Sequence, residues 1–420
     1  MNEELLTVID IGTGKLFGLT ARVKEGEPVS VEGVVSLPME AEVMKKGRVI
    51  NMDGLYGFLC DLLDQLKKQT GARISFVVIS VGGGHIQGKV YRKAREMEPR
   101  GREIQEADIL ALERDIRAIA SAEQQPGRRI LPALSAGPRE YVVDGQPTHV
   151  NPLGRRANTL EVRMHIVSGE FNPIQDLIRC VQSVGVRVER IFPGAWAAAE
   201  AVVKDEERSL GCLVIDLGKG TTNAVHFADR MVVTTLSCPY GGANIDGDIA
   251  HILRTPLQTA EDLKKQHGWC SRDRLLREHS ALLAEEVLIP SPSGIDAGRT
   301  TVDRISEIVV ARVREIMEVF VRGAICGQGR GAMPNLAGGV VLCGGCAHLH
   351  DIEELCTDIF GYQTRVGHPS GAPGLEPSYQ MPEYAAGIGL LRLAAREMPP
   401  AGRQKSLLTK VWDVLRRSVS

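Results

Sequence analysis

The chain lacks several features that would place it in a common class at once. Its 420 residues carry a formal net charge of −2, so nothing in the overall charge suggests a nucleic-acid partner. No run approaches the roughly 18 apolar residues of a membrane-spanning helix. The acidic start, MNEELLTVID, enters a strand directly, and we expect no signal peptide. A hydrophobic content of 43% is nevertheless enough for two to three lobes with their own cores.

The number and spacing of the cysteines argue against disulfide bonds and against a metal site. There are nine, an odd number, scattered without a disulfide framework, which predicts a reducing cytoplasm. Cys343 and Cys346 have CxxC spacing, but no second pair lies at zinc-site distance along the chain. We therefore interpret both as small residues of a turn rather than as a metal site or a redox pair.

One strand–turn–strand pattern occurs twice. LLTVIDIGTGKLFGLTARV surrounds Asp10, and GCLVIDLGKGTTNAVHF surrounds Asp216. In each copy an apolar run ends in Asp-x-Gly, passes through a turn rich in small residues and enters a second apolar run. Glycine lets backbone N–H groups approach an anion, threonine hydroxyls add donors, and the aspartate can hold a hydrated divalent cation. Two such hairpins facing each other predict a clamp for a nucleoside triphosphate.

A third glycine-rich segment completes this clamp. Residues 338–349, GGVVLCGGCAHL, predict a buried strand and a glycine turn, and DIEEL at 351–355 begins a helix. This arrangement lets backbone N–H groups and a helix dipole face a nucleotide. Elsewhere apolar strands alternate with helices, such as those predicted over 55–68 and 302–321, so the fold class is α/β.

The last fourteen residues, 407–420, predict an amphipathic helix behind a tether at 398–406. A helix docked on the protein's own core would show the same apolar stripe. The Pro- and Gly-containing tether, with Arg403 and Lys405, favours a helix that lies in an anionic membrane surface. The expected membrane contacts are Leu407, Leu408, Lys410, Val411, Trp412, Leu415 and Arg416.

The three glycine-rich segments together carry a resemblance. DIGTGK, DLGKGTT and VVLCGGCAHL resemble the phosphate-1, phosphate-2 and adenosine motifs of the superfamily of actin, heat-shock chaperone ATPases and sugar kinases. Within it the chain resembles the FtsA family of bacterial cell-division proteins, with further matches at VISVGGGHIQGKV (78–90), EYVVDGQPTHVNPLG (140–154), TPLQTAEDLKKQHG (255–268) and PEYAAGIGLL (382–391). Nearly the whole chain is covered.

The resemblance implies an α/β, actin-like ATPase fold with two RNase H-like lobes, an extra FtsA-type subdomain (1C) and a C-terminal amphipathic helix. The implied divisions are lobe 1A (1–80 with 166–205 and 378–397), subdomain 1C (81–165), lobe 2A (206–240 with 300–377), lobe 2B (241–299), a linker (398–406) and the membrane helix (407–420).

The resemblance also implies ATP and Mg²⁺ as ligands. Asp10 and Asp216 would hold Mg²⁺ through water. The two hairpin turns would cover the β- and γ-phosphates, and the third glycine turn would lie beside the α-phosphate and sugar. One helix would contact ribose and adenine. The expected contacts are Asp10, Gly12, Thr13, Gly14, Lys15, Asp216, Gly218, Lys219, Gly220, Thr221, Thr222, Glu261, Lys264, Gly344, Gly345 and Cys346.

The chain departs from the family pattern at three places. The family's second hairpin is usually DIGGGTTD, whereas here Lys219 replaces a glycine and Asn223 an aspartate. Trp196 replaces a small residue of a PLASA-like helix, and Glu200 is the nearest carboxylate for orienting a water. No catalytic residue is assigned, and we expect nucleotide to set conformation and assembly, with slow or absent hydrolysis.

FtsA proteins polymerise and tie FtsZ to the membrane, and the resemblance implies the same here. The expected partners are FtsZ, other division proteins at subdomain 1C, further copies of the chain and the anionic cytoplasmic face of the inner membrane, with no nucleic acid. Two alternatives remain open: a pilus-assembly adaptor resembling PilM, and a sugar or acyl kinase of the same superfamily. A divergent paralogue within the FtsA family is also compatible with the sequence.

Overall fold

The structure is a computed structural model that describes residues 4–24, 29–130, 139–283, 285–290, 297–327, 332–370 and 372–397. The predicted linker over 398–406 and the predicted membrane helix over 407–420 lie outside these residues. Within the described ranges, no helix is long and apolar enough to cross a membrane.

The chain alternates strands and helices, as the α/β interpretation predicts. The strands are β1 (Glu4–Ile11), β2 (Lys15–Val23), β3 (Ser30–Pro38), β4 (Met44–Lys45), β5 (Arg48–Val49), β6 (Phe76–Val81), β7 (Gln87–Glu96), β8 (Arg102–Glu103), β9 (Arg128–Ile130), β10 (Arg139–Val143), β11 (Gln146–Thr148), β12 (Arg156–Ala157), β13 (Thr159–Glu170), β14 (Arg187–Pro193), β15 (Cys212–Leu217), β16 (Thr222–Ala228), β17 (Met231–Cys238), β18 (Glu286–Pro290), β19 (Ala297–Thr301), β20 (Val340–Cys343) and β21 (Thr364–Val366).

The α-helices are α1 (Met52–Thr70), α2 (Glu106–Ala122), α3 (Phe171–Ser183), α4 (Gly194–Val202), α5 (Asp205–Leu210), α6 (Gly242–Leu253), α7 (Leu257–His267), α8 (Arg272–Glu278), α9 (Ser280–Leu283), α10 (Val302–Glu315), α11 (Gly323–Ile325), α12 (Ile352–Phe360) and α13 (Ala385–Glu397). A π-helical segment, Ile316–Arg322, connects α10 to α11, and short 3₁₀ turns cover Gly345–His348, Pro377–Tyr379 and Pro382–Tyr384.

Two sheets repeat one strand order. The first lobe is built on a five-stranded sheet in the order β14-β6-β1-β2-β3, and the second on the equivalent order β21-β20-β15-β16-β17. In both, the first three strands along the chain are antiparallel neighbours and the last two are added in parallel. The duplication seen in the sequence is therefore a duplication of the whole sheet, and it brings the two glycine-rich turns to corresponding edges.

The inserted subdomain, β7–β13 with α2, continues the second sheet rather than standing apart from it. Strand β7 pairs with β13 on one side and with β17 on the other, where Thr235 lies opposite Gly88. Strand β13 runs through the predicted boundary between residues 165 and 166. Ten described strands of the insert and of the second lobe thus form one sheet, whereas β8 pairs with β12 and β18 with β19 in separate two-stranded sheets.

Each part has its own buried core, as the sequence-based estimate of two to three lobes predicts. The first core packs α1, α3, α4 and α13 on the first sheet, the second packs α6, α7, α10 and α12 on the second, and a third lies between α2 and the insert strands. Strand β15 is buried on both faces: Val214 joins the first core, and Leu213 and Ile215 join the second. Helix α4 therefore lies between the two sheets.

The helix predicted over 55–68 is confirmed by α1, which begins three residues earlier and ends two later. The Asn51 side chain accepts a hydrogen bond from the Gly54 amide, and Gly71 ends the helix in the left-handed conformation. The helix predicted over 302–321 is α-helical only to Glu315. From Ile316 the segment is π-helical, and there Phe320 stacks on Tyr240 with ring centroids 4.3 Å apart.

Candidate functional site

The two glycine-rich turns and the third glycine turn enclose a cavity of about 540 Å³. The turns have matching geometry, because the Gly12 amide donates to the Lys15 carbonyl at 3.0 Å and the Gly218 amide donates to the Thr221 carbonyl at 2.9 Å. The predicted contacts that line the cavity are Asp10, Gly12, Thr13, Gly14, Lys15, Asp216, Gly218, Lys219, Gly220, Thr221, Lys264, Gly344, Gly345 and Cys346.

Two predicted contacts, Thr222 and Glu261, are not among the residues that line the cavity. Thr222 is fully buried, and its hydroxyl donates to the Tyr240 carbonyl at 2.8 Å. Glu261 lies on α7 between two ammonium groups, at 2.9 Å from Lys219 Nζ and 2.8 Å from Lys265 Nζ. In this structure Thr222 therefore holds the second hairpin to the segment after β17, while Glu261 is held at the edge of the site.

Two carboxylates lie deep in the cavity, one from each hairpin. Asp10 accepts a hydrogen bond of 2.5 Å from the Ser80 hydroxyl at the end of β6. Burial raises the pKa of Asp10, and the same cause, with the charge of Asp10 added, raises the pKa of Asp216 to about 6. The two groups thus resist being charged together unless a cation lies between them.

The charge of Lys15 acts on both carboxylates and favours their ionised forms, and its Nζ atom is buried without a hydrogen-bond partner among the described residues. It lies 3.8 Å from the centroid of the Tyr384 ring. Burial lowers the pKa of Lys15 to about 8, although Glu383, Asp10 and Asp216 each favour the charged form.

The two turns touch each other at their glycines. A Cβ atom at Gly220 would lie 2.6 Å from the Thr13 hydroxyl oxygen, and one at Gly14 would lie 3.1 Å from Lys219 Cβ. Only a residue without a side chain fits at Gly220. The Lys219 side chain therefore crosses from the second turn over the first before its ammonium reaches Glu261.

Asn223 links the cavity to the root of the insert. Its amide group donates to Asp216 Oδ2 at 3.3 Å, and its carbonyl oxygen accepts from the Ser237 hydroxyl at 2.5 Å. The Ser237 oxygen in turn accepts from the Gly83 amide at 3.1 Å. An aspartate at this position, the usual family residue, would place a second carboxylate against Asp216, whereas the amide supplies a hydrogen-bond donor.

The third turn approaches the carboxylates closely. Gly344 has a φ of 85°, and a Cβ atom there would lie 2.5 Å from Asp216 Oδ1. Glycine is required by both the backbone conformation and the space. Two residues on, Cys346 Sγ lies 3.8 Å from the Gly218 carbonyl oxygen, so it packs between the third turn and the second.

Lys264 differs from Lys15 because its ammonium is already paired with a carboxylate. Its ammonium lies 2.6 Å from Asp246 Oδ1 and donates to the Gly242 carbonyl at 3.3 Å. Lys264 is 7% exposed and Asp246 is 2% exposed. The pair holds α7 against α6 while leaving Lys264 at the cavity wall.

Several lining residues were not singled out in the sequence. Ser80, Glu383, His348 and Lys265 all line the cavity, and His348 Nε2 lies 2.6 Å from Glu383 Oε2. Ser80 and Glu383 fall inside the family-like segments 78–90 and 382–391, which were the available signal for them. His348 and Lys265 lie inside two further family-like segments, 340–349 and 255–268, which were the signal for them.

Trp196 and Glu200 both lie on α4. The Trp196 ring nitrogen donates to the Thr235 hydroxyl at 2.8 Å, and His165 of β13 shares that hydroxyl at 2.9 Å. Glu200 forms ion pairs with arginines of α5 and α13 and is not among the residues that line the cavity. Trp196 thus joins the first lobe to the sheet at the β7–β17 seam, and Glu200 is placed away from any water at the carboxylates.

Comparison with known proteins identifies the family. One family model, Cell division protein FtsA, matches residues 213–389, and a second, SHS2 domain inserted in FTSA, matches residues 83–168. The chain is 28% identical over 414 residues to the cell division protein FtsA of Borreliella burgdorferi, covering 98% of this chain and 95% of that protein. It is 28% identical over 388 residues to the FtsA of Pseudomonas aeruginosa, covering 92% and 88%. The chain belongs to the FtsA family of cell-division proteins.

Solved structures show that this FtsA-family chain has the actin-like fold. A PilM–PilN type IV pilus biogenesis complex has a TM-score of 0.61 at 16% identity, covering 94% of this chain and 99% of that one. MreB5 of Spiroplasma citri bound to ADP has a TM-score of 0.54 at 14% identity, covering 94% and 96%. At such identities the likeness shows the fold alone, and that fold is the predicted actin-like one.

Proposed function

We propose that the chain binds ATP with Mg²⁺ in the cavity between its two hairpins. The observation that carries this proposal is the Lys15 ammonium, which is buried, faces two carboxylates and has no hydrogen-bond partner within the described part of the chain. A buried charge without such partners is costly, and a phosphate group in the cavity would supply them. Asp10 and Asp216 offer the oxygen atoms that Mg²⁺ prefers, bound directly or through water.

The other predicted contacts fit a nucleotide in the same orientation. Backbone amides at Thr13 and Gly14, and the second turn opposite them, would receive the β- and γ-phosphates. The turn at Gly344 and Gly345 would lie beside the α-phosphate and sugar, which would extend toward α7. Support comes from the fold as well, since MreB5 of Spiroplasma citri, which shares it, is described bound to ADP and to AMPPNP.

At the level of the cell, the proposed function is a membrane-bound, actin-like scaffold that tethers FtsZ filaments at the division site. Family membership supports the division role, and the actin-like fold supports polymerisation. The predicted helix over 407–420 would attach each subunit to the cytoplasmic face of the inner membrane. One short amphipathic helix binds a bilayer marginally, whereas a filament that presents many binds firmly.

The nucleotide is proposed to control conformation and assembly, with slow or absent hydrolysis. No carboxylate other than Asp10, Asp216 and Glu383 lines the described cavity, and Glu383 is engaged with His348. A general base must reach the attacking water, and none is positioned free for that role. A robust multiple-turnover ATPase rate that Asp216→Ala abolishes would overturn this part of the proposal.

The pilus-adaptor alternative shares the fold, as the PilM–PilN likeness indicates. Both family models that match the chain name FtsA, so the division role is the better supported one. The kinase alternative would need a catalytic base beside the terminal phosphate and an acceptor pocket, and the described cavity offers no free candidate for that base.

The test is sedimentation of the full chain with anionic liposomes, with and without ATP and Mg²⁺, with the pellets imaged by negative-stain electron microscopy. We expect nucleotide-promoted filaments on vesicles, lost when the chain ends at Arg403. Trp412→Glu on the predicted apolar face should also release the protein, whereas Thr409→Glu on the polar face is the matched control. Liposome binding that survives both truncation and Trp412→Glu would refute the tether.

A further inference from the structure

The Lys219–Glu261 ion pair is the feature of the cavity that the family pattern does not explain. Lys219 stands where the family usually has glycine, yet its side chain is built into the site. It leaves the second turn, packs over Gly14 of the first turn and ends 2.9 Å from Glu261 Oε2 on α7. One side chain thus connects both phosphate turns to the smaller lobe formed by α6–α9, β18 and β19.

We propose that this pair is an exchangeable contact: the Lys219 ammonium leaves Glu261 for the phosphate chain of a bound nucleotide, while Glu261 stays paired with Lys265. The inference rests on the proposed nucleotide binding and adds to it how the site senses the number of phosphates. AMP would leave the pair intact, whereas a di- or triphosphate would open it.

The exchange costs little free energy because Glu261 has a second cationic partner. Lys265 Nζ lies 2.8 Å from Glu261 Oε1, so the carboxylate keeps a partner when Lys219 leaves. Although burial alone would raise the pKa of Glu261, the hydrogen bonds from Lys265 and Lys219 hold it at about 2. Removing one partner from a buried pair is strongly unfavourable when nothing replaces it, and here Lys265 already does.

The Lys219–Glu261 pair is only partly enclosed. The Lys219 side chain is 28% exposed and that of Glu261 is 18% exposed. Lys264, three positions after Glu261 on α7, is the contrasting case, because its pair with Asp246 is almost fully buried. A phosphate offers more charge than a carboxylate and stronger charge-assisted hydrogen bonds, so it can outcompete Glu261 for Lys219 but not Asp246 for Lys264.

The experiment compares the affinities of the full chain for AMP, ADP and ATP by isothermal titration calorimetry. The quantity that decides is the ratio of the AMP to the ATP dissociation constant, since base and ribose contacts cancel in it. Lys219→Gln should lower this ratio about tenfold, the loss of one charge-assisted phosphate contact. Glu261→Gln removes the competitor for Lys219 and should raise the ratio roughly threefold, as expected for a partly exposed ion pair.

The double variant Lys219→Gln with Glu261→Gln should match Lys219→Gln alone, because the carboxylate acts on the ratio only through the lysine. Lys67→Gln, an exposed position on α1 with the same change of charge, is the control and should leave the ratio unchanged. If Lys219→Gln and Glu261→Gln each lower the ratio as single variants, the pair is a structural contact that ATP binding needs intact, and the exchange is refuted. If the wild-type chain binds none of the three nucleotides, the proposed function itself fails, which distinguishes the two outcomes.

Discussion

Replacing Lys15 by methionine should stabilise the ligand-free chain while weakening its binding of ATP. The Lys15 ammonium is buried without a hydrogen bond among the described residues, and its pKa is lowered from 10.5 to about 8. A displacement of that size corresponds to about 3 kcal/mol of unfavourable free energy for the charged form at neutral pH. Methionine has similar length and no charge, so it removes that cost.

The net gain should be smaller than this figure, because the substitution also loses the contact with Tyr384. The ammonium lies 3.8 Å from that ring centroid, and such a contact contributes about 1 kcal/mol. We therefore expect Lys15→Met to raise the free energy of unfolding by about 2 kcal/mol and the melting temperature by a few degrees. The measurement is thermal and urea unfolding of the ligand-free full chain at pH 7.

Lys264→Met is the matched control, because it removes another lysine of the same cavity with the opposite expectation. Its partner Asp246 would be left charged and only 2% exposed, which costs about 3–5 kcal/mol. The two variants should thus shift stability in opposite directions. Equal destabilisation by both would refute the account of Lys15 as a buried ammonium whose burial outweighs the attraction of its neighbours.

The dependence on pH gives an independent check. The folded pKa of Lys15, about 8, lies below its ordinary value of 10.5, so the unfolded chain binds more protons between these values. Stability contributed by this group must then rise as pH rises from about 8 to about 10. The difference in unfolding free energy between wild type and Lys15→Met should therefore shrink over that range.

Two further predictions concern a buried glycine and a carboxylate. Gly389→Ala should destabilise the fold by more than about 3 kcal/mol, since the new Cβ would lie 1.6 Å from the Ala197 carbonyl oxygen. Gly57→Ala, where the new Cβ would lie in open space on α1, should instead stabilise the fold by about 0.5–1 kcal/mol. Urea unfolding measures both changes. Asn223→Asp adds a negative charge beside Asp216, whose pKa burial and Asp10 already raise to about 6. The pH at which Mg²⁺-dependent ATP binding reaches half its maximum should therefore move upward, and a midpoint equal to that of wild type would contradict this electrostatic account.

The sequence alone was sufficient to predict the duplicated hairpins, the aspartate near the end of each hairpin's first strand and the glycines of all three turns. These features depend on local chemistry, because an apolar run, the aspartate that follows it and a glycine turn each lie within a few consecutive residues. Their recurrence also indicated the fold class, since a repeated unit implies a repeated sheet. The helix over 55–68 was predictable for the same local reason.

Only the tertiary structure decided which partner each charged group has. Lys15 and Lys264 are both lysines of predicted contact segments, yet one is unpaired among the described residues and the other is bound to a buried aspartate on α6. The Ser80 contact with Asp10 spans 70 positions along the chain. Such pairings arise where separate elements meet, and no periodicity records them.

The same distinction applies to the insert and to the helix after Val302. The sequence indicated an extra subdomain but not that β7 would join the sheet of the second lobe at β17. Nor did the apolar pattern over 302–321 show that the helix becomes π-helical at Ile316, where Phe320 turns to stack on Tyr240. Local periodicity determines which face of an element is buried. Which elements become neighbours depends on how well whole surfaces pack against each other, and those surfaces exist only in the folded chain.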